Sequence, residues 1–416
     1  MSTNTTLTAD IIAKEAVMIL DNELVMAKKV FRGYENEFDK KVNGYKVGET
    51  ISIRKPTDFT VRDGAVMNVQ DVTEGKTTIT VDKRKGVDFK FSSQDLTLKI
   101  GELSERVIKP AMVQLANQID TDLMALYKAV PSWLGTPASP INSYADFAKG
   151  PERMDEYANP SDGRTAVLSP ADHWGLLGSQ TALYIQDAAK GAYRKGSLGE
   201  IGGVDTYMSQ NVPTHTVGVW AGTTVAVDGT VNASSVTYDS VKDTMQQTMT
   251  VDGFSASAPA VAVGDVFTIA DVYAVNPVTK AKLSFLKQFT VVSTANASGN
   301  QVDITFYPAM IWSGAFQNIS TAATNLDGKV VAPVGTDSTG YRQNLVFHRN
   351  AFALVSVPLV SPPGAVDVSR QTYKGTSVRV IPVYDGVNDE SAWRLDVLYG
   401  TKCIDPRLAH RLSGSS

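Results

Sequence analysis

A chain of 416 residues, 43% hydrophobic and 20% charged, is long enough for more than one domain with a sizeable core and has the composition of an ordinary soluble protein. Its net charge of −4 is too small to draw the whole molecule to nucleic acid or to anionic lipid. One cysteine, Cys403, excludes an intrachain disulfide, so stability must come from packing or association. No apolar run approaches the ~20 residues of a membrane span, and the opening MSTNTTLTADIIAKEA lacks the charged and apolar regions of a secretory signal. A soluble, cytoplasmic protein is expected, in which Asn296-Ala297-Ser298 is a polar loop and not a glycan acceptor.

Residues 9–30 have helical spacing. Thr8 is placed to cap, and Ile12, Ala16, Ile19 and Leu20 share one face. Such a terminal helix suits docking on its own core and docking on a neighbour equally. Residues 47–91 read as an extended hairpin. Ile51 and Ile53 alternate with Thr50, Ser52 and Arg54, Ile79 and Val81 with Thr78 and Thr80, and Val87, Phe89 and Phe91 share a face. This is the period-two pattern of strands with one apolar side. Lys85-Gly86 is the expected turn between the last two strands. Between the first two lies PTDFTVRDGAVMNVQDVTEG, with few large apolar groups. A tip so long and polar buries little by itself, so it is expected to project, and to be mobile unless a partner covers it.

After Gly101, Leu103, Val107, Met112, Leu115, Ile119, Leu123 and Leu126 recur one turn apart. They predict a helix over 101–129, about 40 Å long at ~1.5 Å per residue. Pro110 should kink it or mark its true start. A short apolar strand at 165–168 is followed by Ser169-Pro170-Ala171-Asp172, an N-cap serine, a proline at the first helical position and an acid at the third. Gly175 and Gly178 weaken that helix. GSLGEIGGVDTYMSQNVP is a glycine-punctuated loop running into a strand at 204–208. From 216 to 340 no helix pattern appears. VFTIADVYAV, QFTVVST and QVDITFYPAMI are short β-runs between turn signals, the spacing of a small barrel or sandwich. Residues 345–360 and 377–398 read as strands and a short helix that return to the earlier domain, which makes the β-rich stretch an insertion.

Charge is uneven along the chain. Residues 41–90 hold ten Lys/Arg against seven Asp/Glu, and residues 216–340 hold five against nine. Complementary contacts between copies and a plain solvated surface both fit this asymmetry. Catalytic motifs do not emerge. His173, His215, His348 and His410 include no pair at i, i+4 and no HExxH. Gly75-Lys76-Thr77 resembles the end of a phosphate loop, but position 70 is glutamine and the segment lies in a hairpin. Gly196, Gly199, Gly202 and Gly203 precede a strand instead of opening a helix, which is not the dinucleotide fingerprint; tight turns explain them. Lys83-Arg84-Lys85 reads as a solvated turn ahead of a phosphate contact. Cys403 reads as a small buried hydrophobe, and Trp220 and Trp312, which bracket the β-rich stretch, as packing residues. No catalytic, cofactor-binding or metal residue is expected, and an enzyme is the least supported class.

The order of parts carries a resemblance. VGETISIRKP in the hairpin, the long helix, LSPAD, the Gly199, Ile201, Gly203, Asp205 and Tyr207 pattern, and Gly264-Asp265 in GDVFTIA together are similar to tailed-bacteriophage major capsid proteins. The chain resembles the branch typical of short-tailed enterobacterial phages, an α+β fold of the HK-ninety-seven type with an inserted all-β barrel domain. The resemblance implies an N-terminal arm at 1–40, an extended loop at 41–92 and a peripheral domain with its spine helix at 93–134. It implies a first part of the axial domain at 135–217, the inserted β-barrel at 218–338, and return strands of the axial and peripheral domains at 339–416. It further implies hexamers and pentamers in an icosahedral shell around double-stranded DNA touched without specificity. A scaffolding protein, a portal protein at one vertex and an optional decoration protein are the implied partners, with no membrane, and assembly is implied in the host cytoplasm. Two other readings compete: a cellular compartment shell of the same fold, and a β-rich binding module.

Overall fold

The computed structural model describes residues 9–34, 49–67, 69–92, 104–180, 198–220, 222–229, 236–255, 259–322, 325–362, 368–386 and 390–415. Thr8, Leu103 and Gly196, singled out above, lie outside the described residues. The chain divides into two compact units. One comprises 1–52, 78–124 and 352–402; the other comprises 53–77, 125–351 and 403–416. Both helix and antiparallel sheet are abundant, so the fold is α+β as expected.

In the first unit the helix Ala9–Glu23 buries Ile12, Ala16, Val17 and Leu20. It packs on the helix Lys109–Met124 and on the strands Ser369–Tyr373 and Thr376–Asp385. One face of the helix is thus buried on its own unit, while Ile11 and Met18 remain exposed on the other. Polar contacts fix the fit. Asp120, buried, accepts the amides of Val25 at 2.7 Å and Ala27 at 3.0 Å, just past the helix end. Burial raises its carboxyl above the ordinary value, and these amides oppose the rise. Lys374 Nζ donates to the buried Asp21 at 3.1 Å.

Pro110 acts as its ring demands. It sits at the second residue of the α-helical run, directly after a π-helical turn at Ser104–Ile108. Proline lacks the amide that would bond one turn back, and its ring crowds that turn; a wider turn accommodates both. The run then tightens into a 3-10 helix at Ala125–Ala129.

The expected turn at Lys85-Gly86 does not form. Lys83–Ser92 is one continuous strand, paired antiparallel with Glu390–Cys403 over ten residues from Lys83↔Tyr399 to Ser92↔Glu390. The same long strand pairs with Thr376–Asp385, which places the residues that looked like a hairpin tip in a five-stranded sheet. The basic cluster is correspondingly engaged: Lys83 Nζ lies 3.4 Å from Asp122 and Arg84 donates to Asp396 at 2.8 Å. Buried Asp396 also accepts from Arg379 at 2.6 Å and Arg394 at 2.9 Å. Burial opposes its charge, yet these three guanidinium groups hold its carboxyl below the ordinary value.

The second unit contains a six-stranded sheet ordered Trp133–Leu134, Ala409–Leu412, Asn344–His348, Arg164–Leu168, Val204–Met208 and Glu200–Ile201. Helices Tyr144–Glu156 and Pro170–Gln180 contribute Phe147, Met154, Leu176 and Leu177 to its core. Ser169 caps the second of these, accepting the Asp172 amide at 3.2 Å and donating to the Asp172 carboxylate at 2.6 Å. Gly199, Gly202 and Gly203 all have positive φ, the conformation for which glycine pays no Cβ penalty.

A seven-stranded antiparallel sheet lies between residues 222 and 333, ordered Ile319–Ser320, Val266–Val275, Lys282–Val291, Val302–Tyr307, Gln247–Phe254 and Gly222–Val227, with Val331–Pro333 alongside Val266–Val275. Phe267, Phe289 and Phe306 pack at its centre with ring centroids 5.2–5.7 Å apart. One short helix, Tyr238–Val241, interrupts a region in which the sequence shows no helical pattern. Four residues are too few to display a period.

Candidate assembly surface

The segment 55–75 has no regular structure, while its flanks Glu49–Arg54 and Lys76–Val81 pair as a two-stranded sheet. Its apolar side chains face solvent: Val61 is 97% exposed, Val66 84% and Met67 77%, and Phe59, Val69 and Val72 are also exposed. The tip is therefore more apolar in effect than its composition suggests. The side-chain hydrogen bonds seen from 59 to 72 stay within the segment. Thr60 N donates to Gln70 Oε1 at 2.9 Å, Gln70 Nε2 donates back to Thr60 O at 2.6 Å, and Arg62 donates to the carbonyls of Gly64 and Val66. A run of large exposed apolar groups on one loop is the mark of a contact surface.

The root of the segment is built differently. Lys55 N donates to Gly75 O at 2.8 Å, which draws the two limbs together. Arg407, held to Asp405 at 2.8 Å, lies 3.7 Å from Asp58. Burial and the neighbouring guanidinium act oppositely on Asp405, and the net effect holds its carboxyl below the ordinary value.

A second arrangement stiffens the unit from within. Asp265 is fully buried and accepts from His215 Nε2 at 2.8 Å, Trp220 Nε1 at 2.9 Å, Ala262 N at 2.9 Å and Gly218 N at 3.1 Å. His215 Nδ1 is 3.1 Å from the Tyr127 hydroxyl. Arg411, fully buried, donates to Gly264 O at 2.7 Å and Thr290 Oγ1 at 3.3 Å, and its guanidinium sits over the rings of Tyr127 and Trp133. Burial pulls the Arg411 guanidinium down to about 9, against the attraction of Tyr127 and Asp265, so it remains charged at neutral pH. Gly264, at φ +96°, abuts Lys128. The Gly264-Asp265 pair of the GDVFTIA motif thus has a structural reason: one residue supplies a carbonyl, the other a carboxylate, to a network joining 127–133, 215–220, 264–290 and 411. A buried carboxyl group with four donors around it is stable as a set, whereas leaving a buried polar group without its partner typically costs ~1–3 kcal/mol.

The residues weighed for chemistry are dispersed. His173, His215, His348 and His410 are all buried in separate surroundings, and Cys403 is buried. Among the described residues no group of three His, Cys, Asp or Glu could hold a metal ion, and no helix is long and apolar enough to cross a membrane. Trp220 lies in the core of the seven-stranded sheet with Trp312 packed against it. Sequence reasoning did not find the Asp265 network or the contacts at the loop root. The motif Gly264-Asp265 was the available signal for the first, and the glycine in Gly75-Lys76 for the second.

The sequence model of one family, the P22 coat protein (gene protein 5), matches residues 1–414. The major capsid protein of Acyrthosiphon pisum secondary endosymbiont phage 1 is 22% identical over 425 residues, covering 98% of this chain and 98% of its own length. Among solved structures, one from Mycobacterium phage Che8 aligns at a TM-score of 0.48 and 13% identity, covering 93% of this chain and 90% of its own. The asymmetric unit of the bacteriophage PhiM1 mature capsid aligns at 0.40 and 14%, covering 88% and 81%.

Proposed function

The chain belongs to the P22 coat protein family and is a phage major capsid protein, a structural subunit of the head shell and not an enzyme; from this premise we propose that segment 55–75 is its working surface, laid over a neighbouring copy of the same chain. The observation that carries the reading is the set Phe59, Val61, Val66, Met67, Val69 and Val72, all exposed on one segment without regular structure. Burying a side chain of this size contributes ~1.5–3 kcal/mol, and a neighbour supplies that burial. Repeated at every subunit, weak contacts of this kind sum to a stable shell, because association offsets ordering costs with many interfaces.

On this reading the shell is icosahedral, built of hexamers and pentamers, and encloses double-stranded DNA that the modest net charge tolerates without tight binding. On the same reading the regions are an arm at 1–40, an extended loop at 41–92, a peripheral domain with its spine helix at 93–134, a first part of the axial domain at 135–217, an inserted β-barrel domain at 218–338 and return strands of the axial and peripheral domains at 339–416. Assembly in the host cytoplasm on a scaffolding protein and closure around a portal complete the proposal, with a decoration protein as an optional addition.

Negative-stain electron microscopy of the full chain, expressed with and without its neighbouring phage genes, tests it. Uniform shells are expected, and deletion of 57–75 should leave a folded chain by circular dichroism with shell yield lowered at least about tenfold. A deletion variant that forms shells at parental yield and stability would refute the role of the segment.

A further inference from the structure

The projecting segment is gripped at its root by the β-rich part of its own unit. Lys55 Nζ donates to the main-chain carbonyls of Lys242 at 3.3 Å and Asp243 at 3.0 Å. From the other limb, Lys76 N donates to Asp243 Oδ1 at 3.0 Å. Gly75 lies so close that a side chain there would overlap the Lys242 carbonyl and come within 2.9 Å of the Tyr238 hydroxyl. Its φ is not positive, so close approach and not backbone conformation calls for glycine. Tyr238 is itself seated by stacking on Phe316, ring centroids 3.4 Å apart and planes 5° from parallel. Burial raises its hydroxyl above the ordinary value, while Arg407 and the Gly75 amide oppose the rise.

We infer that residues 238–243 form a bracket that aims the projecting segment and so decides whether it can reach a neighbouring copy. The inference rests on the assembly reading above and adds to it a task for the β-rich part: positioning within one chain. Geometry makes the aim matter. A limb of about nine residues reaches at most roughly 30 Å. A tilt of about 10° at the root would displace the tip by roughly 5 Å, more than the ~4.5 Å over which apolar side chains are in contact. Two limbs pinned to one carboxylate and two adjacent carbonyls cannot tilt without breaking those bonds. A single pinned limb could swivel.

Three full-length variants test this. Asp243 is exposed, so Asp243→Ala removes the acceptor for Lys76 without opening the core. Asp243→Asn keeps an acceptor oxygen in the same place. Gly75→Val pushes the root off the Lys242 carbonyl. Amide hydrogen exchange on the unassembled chain should rise at least about fivefold over 55–76 in Asp243→Ala and Gly75→Val, with the melting transition unchanged in Asp243→Ala. Shell yield should fall about tenfold in both, or the shells should lose their uniform diameter, while Asp243→Asn behaves as the parent. Parental exchange over 55–76 in Asp243→Ala overturns the bracket. Raised exchange with parental shell yield and diameter overturns its role in aiming, and a defect in Asp243→Asn equal to that of Asp243→Ala overturns the acceptor as the cause. A parent chain that forms no shells under any condition counts against the assembly reading instead, and the exchange arm then still decides whether the bracket exists.

Discussion

His410 illustrates what burial does to a single titratable group. Its ring stacks on Tyr157, centroids 5.7 Å apart and planes 8° from parallel, with Asn159 Nδ2 at 3.5 Å. Burial, followed by the positive charges of Arg153, Lys287 and Arg164, lowers its protonation to about 3. The unfolded chain takes up a proton near pH 6.5, where the folded chain does not. Stability from this group is therefore complete above pH 6.5 and is lost progressively as pH falls toward 3, at ~1.4 kcal/mol per pH unit. His348, also lowered by burial, adds to the same slope. Urea midpoints measured between pH 6.5 and 5, above the range of ordinary carboxyl groups, should decline in the parent and decline less in His410→Phe. Equal slopes would show that His410 is not buried neutral. The sequence marked His410 only as unpaired with other histidines, because its cationic neighbours come from residues more than a hundred positions away.

At the scale of elements, Lys83–Ser92 shows how a partner strand overrides a local turn signal. Lys-Gly is a good turn pair in isolation, but ten residues of ladder with Glu390–Cys403 outweigh it. Gly86 faces Asp396 across that ladder, and a Cβ there would lie 2.7 Å from both the Asp396 carboxylate and the Leu395 carbonyl. The glycine makes room for the carboxylate that Arg84, Arg379 and Arg394 share. Gly86→Val should destabilise the chain by about 2–3 kcal/mol through overpacking and a displaced carboxylate, read as a lowered denaturant midpoint. A shift below ~0.5 kcal/mol, the size of an ordinary surface substitution, would show that the ladder yields freely. Elements with strong local signals were legible by contrast. Ser169 caps its helix, Pro110 stands at the start of the regular α-helical run, and the strand Val204–Met208 follows its glycines.

For the molecule as a whole, the seven-stranded sheet between 222 and 333 carries its own core of Phe267, Phe289, Phe306 and surrounding aliphatic side chains. Residues 218–338 expressed alone should give a β-type circular dichroism spectrum, dispersed amide resonances and a cooperative melt. An unfolded spectrum would show that this sheet needs the Arg411 and Tyr127 side of the buried network. The expectation is for folding with reduced stability, since Asp265 keeps Trp220, Gly218 and Ala262 within that stretch and loses His215.

By itself the sequence determined the class of the protein. Period-two and helical patterns, caps, and the ordered motifs from VGETISIRKP to GDVFTIA are local properties, and each can be read where it stands. What the tertiary structure decided is non-local. The arm helix buries an apolar face on its own unit, Lys83–Ser92 joins a sheet whose other strands lie some three hundred residues away, and Asp265 meets His215 and Trp220 from 50 and 45 residues along the chain. The root of the projecting segment likewise meets Asp243 more than 160 residues on. The buried contacts follow from packing and from the need of buried polar groups for partners, and no period along the chain records any of them.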